Sequence, residues 1–435
     1  MRGYYLEIIP TSKSFRQYLT FWAGQIFSLL GSMVVHFVIM WYLTVTTESP
    51  MVLALANFFY FLPMIIILPV AGVFADRHNR KKIIMIVDSL QALATVILIM
   101  LLAMGLSNVW IIFLFIGIRS IFQAFHQPTV NAVVPTMVPK EKLSRVNGLN
   151  FLFNGVIQII GPLLAALLLV FMTVFQALWV DVITFVIAFI PLVFITIPLV
   201  RTKQDKVENG TSFKEEFSDG FRTLKAIPGF IVLMIMAMLL NFLIQPLSTL
   251  LSYFAAVIHD ATAFEYAIMS VGFQGGIIGG ALLTTIKKRW KHKIRISFSV
   301  LVVVMVAYSM LALAPYRAFL YMMIMTFIMG FMLPIVNTLY QTIQQTVVPH
   351  EKLGRVGSID STFSMIITPI GALLSGALGE FLGVENLFFI CGLLGVVILG
   401  ILYFFTGIRH VNYDQIAEEL LVKPKEDKVI PEIIE

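Results

Sequence analysis

Three aspartates, Asp88, Asp181 and Asp360, stand well inside long apolar stretches of the chain. Desolvation disfavours a carboxylate's charge, so a group in such surroundings can load and release a proton near neutral pH. Arg119 lies in a similar stretch, about ten residues beyond Val109 and so roughly 15 Å deep at the rise of a helix. A guanidinium at that depth is costly unless it faces a cavity or a partner, so it reads as a functional charge or as half of a buried pair. His36 and His126 also fall in apolar stretches. A neutral core histidine is the plainer reading of each, a proton relay the alternative. Asp181, Asp360, Arg119, Asp88 and His36 are therefore the candidates for coupling work to proton movement. Asp88 sits close to the basic run ending at Lys82 and is expected to pair with it.

The elements that hold these groups are long and apolar. Hydrophobic residues make up 59% of the 435 and charged residues 12%, about half the charged share of a soluble domain. Lipid must be the solvent for most of that surface. Apolar runs long enough to span a bilayer occupy 18–44, 51–75, 83–105, 109–133, 143–171, 174–198, 230–258, 264–286, 296–314, 319–346, 353–382 and 386–407, spans one to twelve. The expected fold class is an all-α membrane protein of twelve transmembrane helices. The polar stretch 201–229 separates spans six and seven. The first fourteen residues lack the apolar core and cleavage site of a signal peptide. The single cysteine, Cys391, rules out a disulfide framework.

The net charge is +6, and its distribution is uneven. With the N-terminus inside, 28 of the 30 Lys and Arg residues fall in cytoplasmic segments. One, Arg317, falls outside, and Arg119 lies within a span. This is a strong positive-inside pattern, and it places both termini in the cytoplasm. The positive charge is topological, so nucleic acid is excluded as a partner.

Val138-Pro139-Lys140-Glu141-Lys142-Leu143-Ser144-Arg145-Val146 recurs as Val348-Pro349-His350-Glu351-Lys352-Leu353-Gly354-Arg355-Val356. Each copy follows the fourth span of its half, so the chain reads as two halves of six spans joined by 201–229. The expected organisation is a bundle at 1–200, a cytoplasmic linker at 201–229, a second bundle at 230–408 and a cytoplasmic tail at 409–435. Two halves of one orientation, related by an axis along the membrane normal, put a substrate site near the midplane at their interface. This argues for transport over a receptor or a membrane enzyme.

Three motifs carry a family resemblance. Gly72-Val73-Phe74-Ala75-Asp76-Arg77-His78-Asn79-Arg80-Lys81-Lys82, between spans two and three, resembles the signature loop of the major facilitator superfamily, with Phe74 and Asn79 as departures. Gly72 would let two helices approach closely. Asp76 at the membrane edge can cap a facing helix N-terminus, and the resemblance implies that this partner is the start of span eleven. Gly72, Asp76, Arg77, Arg80 and Lys81 are thereby expected to form a cytoplasmic gate; a loop that only sets topology is the alternative. Arg119 resembles the conserved arginine of proton-coupled antiporters in this superfamily, though Gln123 stands where a glycine belongs. Gly155, Gly161 and Pro162 in span five resemble the antiporter motif, with Ala165-Ala166 replacing a glycine pair; an ordinary small-residue packing face is the alternative. With Trp22-Ala23-Gly24-Gln25 and Ala124-Phe125-His126-Gln127-Pro128, the chain is similar to the bacterial macrolide-efflux branch of these drug:proton antiporters.

The resemblance implies a proton-coupled exporter of hydrophobic or amphipathic compounds in the bacterial inner membrane. Siderophore or lysolipid export on the same fold is an alternative, as is a non-transporting receptor or scaffold. Gln25, His126, Asn131, Asn241, Gln245, Asn337 and Gln341 are candidate cavity-lining polar residues; an interhelical hydrogen bond is the competing role for each. The 22 Met and 37 Phe suit a tolerant pocket, but lipid contact and packing account for them as well. No P-loop, metal-ligand cluster or nucleophile triad appears, so no enzymatic activity, cofactor or metal is expected. The expected partners are a small amphipathic substrate, protons and the lipid bilayer.

Overall fold

A computed structural model describes residues 11–198, 213–287, 290–349, 352–413 and 415–416. Among them are twelve helices long and apolar enough to cross a membrane: Ser12–Thr47, Pro50–Arg77, Arg80–Ala103, Val109–Met137, Lys140–Phe171, Val174–Phe194, Phe230–Ile258, Ala263–Ile286, Lys293–Ala312, Phe319–Val347, Leu353–Leu382 and Val384–Phe405. These correspond to spans one to twelve, and no strand occurs among the described residues. Most helix ends lie within a few residues of the expected ones. The N-termini of the early spans are set by polar caps, which satisfy backbone donors that the helix itself leaves open. Thr11 and Ser14 cap span one reciprocally, Ser49 caps span two ahead of Pro50, and Asn79 and Asn108 cap spans three and four. Prolines occur inside several spans, among them Pro128, Pro162, Pro246, Pro334 and Pro369. Neighbouring helices make such breaks tolerable in a membrane bundle.

One element was not anticipated. The stretch 201–229 reads as a polar linker, yet Phe213–Ala226 is helical. Its apolar residues Phe213, Phe217, Phe221 and Leu224 recur at helical spacing. Leu224 and Ile227 are buried.

By internal contact the chain divides into two compact units: Met1–Asp205 with Thr249–Val271 and Ala372–Phe381, and Lys206–Ser248 with Gly272–Gly371 and Leu382–Glu435. In unit 1, span two packs along span four, and span one along spans five and six. The ends of spans seven, eight and eleven on the charge-poor face also belong to this unit. There the Phe37 and Trp41 rings stack on Tyr266 at 5.2 and 5.8 Å. Thr44 Oγ1 donates to Ser252 Oγ at 2.9 Å. Glu380 accepts from Ser49 Oγ at 2.8 Å and from the Met51 amide at 3.4 Å. A carboxylate from span eleven thus caps the N-terminus of span two, where the helix dipole favours negative charge. In unit 2, span nine packs against spans ten and twelve. Spans eight and ten approach so closely at Gly276 that a Cβ there would lie 2.7 Å from the Phe331 amide nitrogen.

Candidate functional site

The polar residues of unit 1 converge on one face of span three. Asp88, Gln91 and Thr95 follow at intervals of three and four, so they share that face, and all are buried. Span four supplies Arg119 and span six supplies Asp181. Arg119 Nη1 donates to Asp181 Oδ2 at 2.6 Å, and Nη2 to Oδ1 at 3.4 Å. The Thr95 hydroxyl donates to Asp181 Oδ2 at 2.7 Å and accepts from Arg119. Only 12% of the arginine side chain and 8% of the aspartate side chain are exposed. A guanidinium and a carboxylate in two-pronged contact each supply the charge that burial would otherwise leave uncompensated. His36 of span one and Tyr60 of span two lie within electrostatic reach of Arg119, with ring centroids 5.8 Å apart.

A second pair lies two helical turns along the same helices. Asp88 precedes Thr95 by seven residues and His126 follows Arg119 by seven, a displacement of about 10 Å on each helix. His126 Nε2 is 3.2 Å from Asp88 Oδ1, a charge-pair distance without hydrogen-bond alignment. Gln25 of span one faces the same carboxylate. The expected pairing of Asp88 with the basic run at Lys82 is therefore corrected: its partner comes from span four. Sequence spacing held no sign of this, because the match is between helices.

The signature loop is a staple within unit 1. Arg80 donates to the Ala132 carbonyl of span four at 2.9 Å. Lys81 Nζ donates to the Val193 and Ile195 carbonyls at the end of span six, at 2.8 and 2.7 Å, a basic cap on a helix C-terminus. Asp76 is exposed and lies 3.6 Å from Arg80, and Arg77 is exposed. A Cβ added at Gly72 would meet nothing within 4 Å, so the close helix approach expected of this glycine is not found. Gly161 does make one: a Cβ there would lie 2.8 Å from Met33 Cβ, bringing spans five and one together beside Pro162. Gly155 is half-buried in the same helix. Asn131 is exposed and accepts from Gln127 at 3.3 Å.

Unit 2 holds a cavity of about 460 Å³ that gathers Asn241, Asn337, Gln341 and Asp360 from spans seven, ten and eleven. Tyr340 Oη donates to Asp360 Oδ1 at 2.9 Å. Gln245 is not part of this lining; its side chain packs where a Cβ on Gly371 would touch it at 3.0 Å. Sequence reasoning missed Tyr340, Gln344, Ser361 and Ser364, which also line the cavity. The signal was present. Asn337, Tyr340, Gln341 and Gln344 fall at i, i+3, i+4 and i+7, and so do Gly357, Asp360, Ser361 and Ser364, each set forming one helix face. Asn150, the counterpart of Asp360 in the repeat, accepts a hydrogen bond from Trp22 Nε1 and has its amide 3.5 Å from Tyr18 Oη.

Comparison with known proteins agrees with this architecture. The profile of the Major Facilitator Superfamily matches residues 21–369 and 319–429. Macrolide efflux protein A of Streptococcus pyogenes is 29% identical over 396 residues, covering 91% of this chain and 97% of that protein. The protein of the same name from Enterococcus faecalis is 28% identical over 323 residues, covering 74% and 99%. A crystal structure of a POT family transporter in complex with a thioalcohol-conjugated peptide superposes with a TM-score of 0.71 at 14% identity, covering 93% of this chain and 99% of that one. With its twelve spans and the signature loop between spans two and three, the chain belongs to the Major Facilitator Superfamily of membrane transporters.

Proposed function

We propose that the chain is a proton-coupled exporter of small amphipathic compounds, working by alternating access in a bacterial cytoplasmic membrane with both termini inside. Export is supported by the relatives named for macrolide efflux and by a multidrug efflux pump of Mycolicibacterium fortuitum that is 22% identical over 355 residues. The basic loops then face the cytoplasm, and the contacts of Phe37, Trp41, Glu380 and Ser252 form an outer seam that opens to release cargo.

The Asp88–His126 pair carries the coupling. Asp181 is bound to a permanent cation, and a proton on it would strand the buried Arg119 charge. Asp88 and His126, 3.2 Å apart, hold no permanent charge between them: with one proton on the pair it is neutral, and gaining or losing a proton changes the buried charge by one. Arg119 and Asp181 form a fixed dipole two turns away, and His36 and Tyr60 flank it.

The test is transport in proteoliposomes of the full chain with radiolabelled erythromycin as probe. Wild type concentrates the probe only under an imposed pH gradient. Asp88→Asn and His126→Asn each lower gradient-driven transport by about tenfold or more while leaving probe binding intact. Transport indifferent to the gradient would refute coupling. Full transport by both variants would refute this assignment.

A further inference from the structure

We propose that the unit 2 cavity recognises an amphipathic organic monocation, with Asp360 as the group that sets the charge preference. This rests on the exporter reading and gives its cargo a charge.

At about 460 Å³ the cavity falls in the range of small-molecule sites. Asp360 is the one charged residue among the described residues of its lining. The two buried aspartates of unit 1 meet internal bases, Asp181 through Arg119 and Asp88 through His126. Asp360 has no basic partner among the described residues; its hydrogen bond comes from the neutral hydroxyl of Tyr340. In its ionised form, the charge of Asp360 is left for a species that enters the cavity to meet. The fold does not demand an acid at this place, since the repeat counterpart is Asn150, a neutral amide bonded to Trp22.

The remaining polar lining is neutral. Asn241, Asn337, Gln341 and Gln344 offer amides, and Gln344 Nε2 is buried with no acceptor among the described residues. Span seven completes the wall with leucine, methionine and isoleucine side chains. One carboxylate neutralises one positive charge. An anion would be repelled, and a dication would bring a second charge for which the described lining has no second carboxylate. The amides accept hydrogen-bonding groups around the cation without adding charge, and the apolar wall takes the rest of the molecule.

The experiment compares two probes of the same shape and opposite charge, tetraphenylphosphonium and tetraphenylborate. Equilibrium binding to the purified full chain in detergent is measured without any gradient, with protein-free micelles subtracted. The wild type is expected to bind the cation about tenfold or more tighter than the anion, the size of one charge-assisted contact. Asp360→Asn removes that preference, and Asp360→Glu keeps it. Should Asp360→Asn fail to fold, carbodiimide labelling of wild-type Asp360, read by peptide mass spectrometry, supplies the answer. Tetraphenylphosphonium should protect the carboxyl and tetraphenylborate should not. Equal affinity for both probes, a preference that survives Asp360→Asn, or labelling unaffected by the cation would overturn the inference. Because binding needs no gradient, charge-selective binding without export would sink the exporter reading alone. Gradient-driven export with charge-blind binding would sink this inference alone.

Discussion

Replacing Asp181 by Asn keeps the shape of the side chain and deletes one buried charge. The Arg119 guanidinium then loses its counter-ion at 2.6 Å, while both side chains remain almost wholly shielded from water. Breaking one side of such a pair costs about 3–5 kcal/mol, most of it the penalty for the stranded partner. Arg119→Gln should cost a similar amount for the converse reason. The double variant Arg119→Gln/Asp181→Asn strands no charge, so it should recover about 1–3 kcal/mol of the summed losses. The assay is reversible unfolding in mixed micelles for all four proteins, read as a double-mutant cycle. Single losses below about 1 kcal/mol, the range of exposed ion pairs, or losses that simply add, would refute the description of this contact as a buried charge pair.

Other perturbations test the seam and the gate. Glu380→Gln weakens the cap on span two by about 0.3–1 kcal/mol and should shift spin-label distances across the charge-poor face toward the open state. Asp76→Asn should leave stability nearly unchanged, because Asp76 is exposed and Arg80 keeps its bond to the Ala132 carbonyl, yet lower the closed population at the basic-loop face; unchanged populations would remove Asp76 from the gate. His259, just past span seven, is buried, and burial lowers its imidazole pKa below 6.5. The unfolded or opened state therefore binds the proton first, so the seam's stability holds above about pH 6.5 and falls as the pH drops below it. His259→Phe should flatten that acid limb in thermal-shift measurements.

The spans were legible because lipid demands long apolar helices; their ends were less so, since hydropathy alone begins span one at 18 while the Thr11 cap starts the helix at Ser12. The buried charges were legible one by one. Their pairing was not: Asp88 with His126 and Arg119 with Asp181 join helices far apart in sequence, and no spacing rule links them. The cavity was half-legible. Asn241, Asn337, Gln341 and Asp360 were visible as polar residues in apolar spans, while Tyr340 and Gln344 required following the face of span ten through a full i, i+3, i+4, i+7 set. The linker helix Phe213–Ala226 hid behind its polar composition although its aromatic residues repeat at four-residue intervals. Gly72 misled in the opposite direction: small residues permit close packing, but permission is not contact.

Proton movement driven by cargo in the absence of any imposed pH gradient tests the central claim most directly. An erythromycin gradient is set across proteoliposomes containing the full chain, and internal pH is followed with a trapped dye. Wild-type protein should move protons against the direction of cargo flow, and Asp88→Asn should carry cargo down its gradient with no proton signal. Cargo flow without proton movement in the wild type, or an undiminished proton signal in Asp88→Asn, would contradict the account.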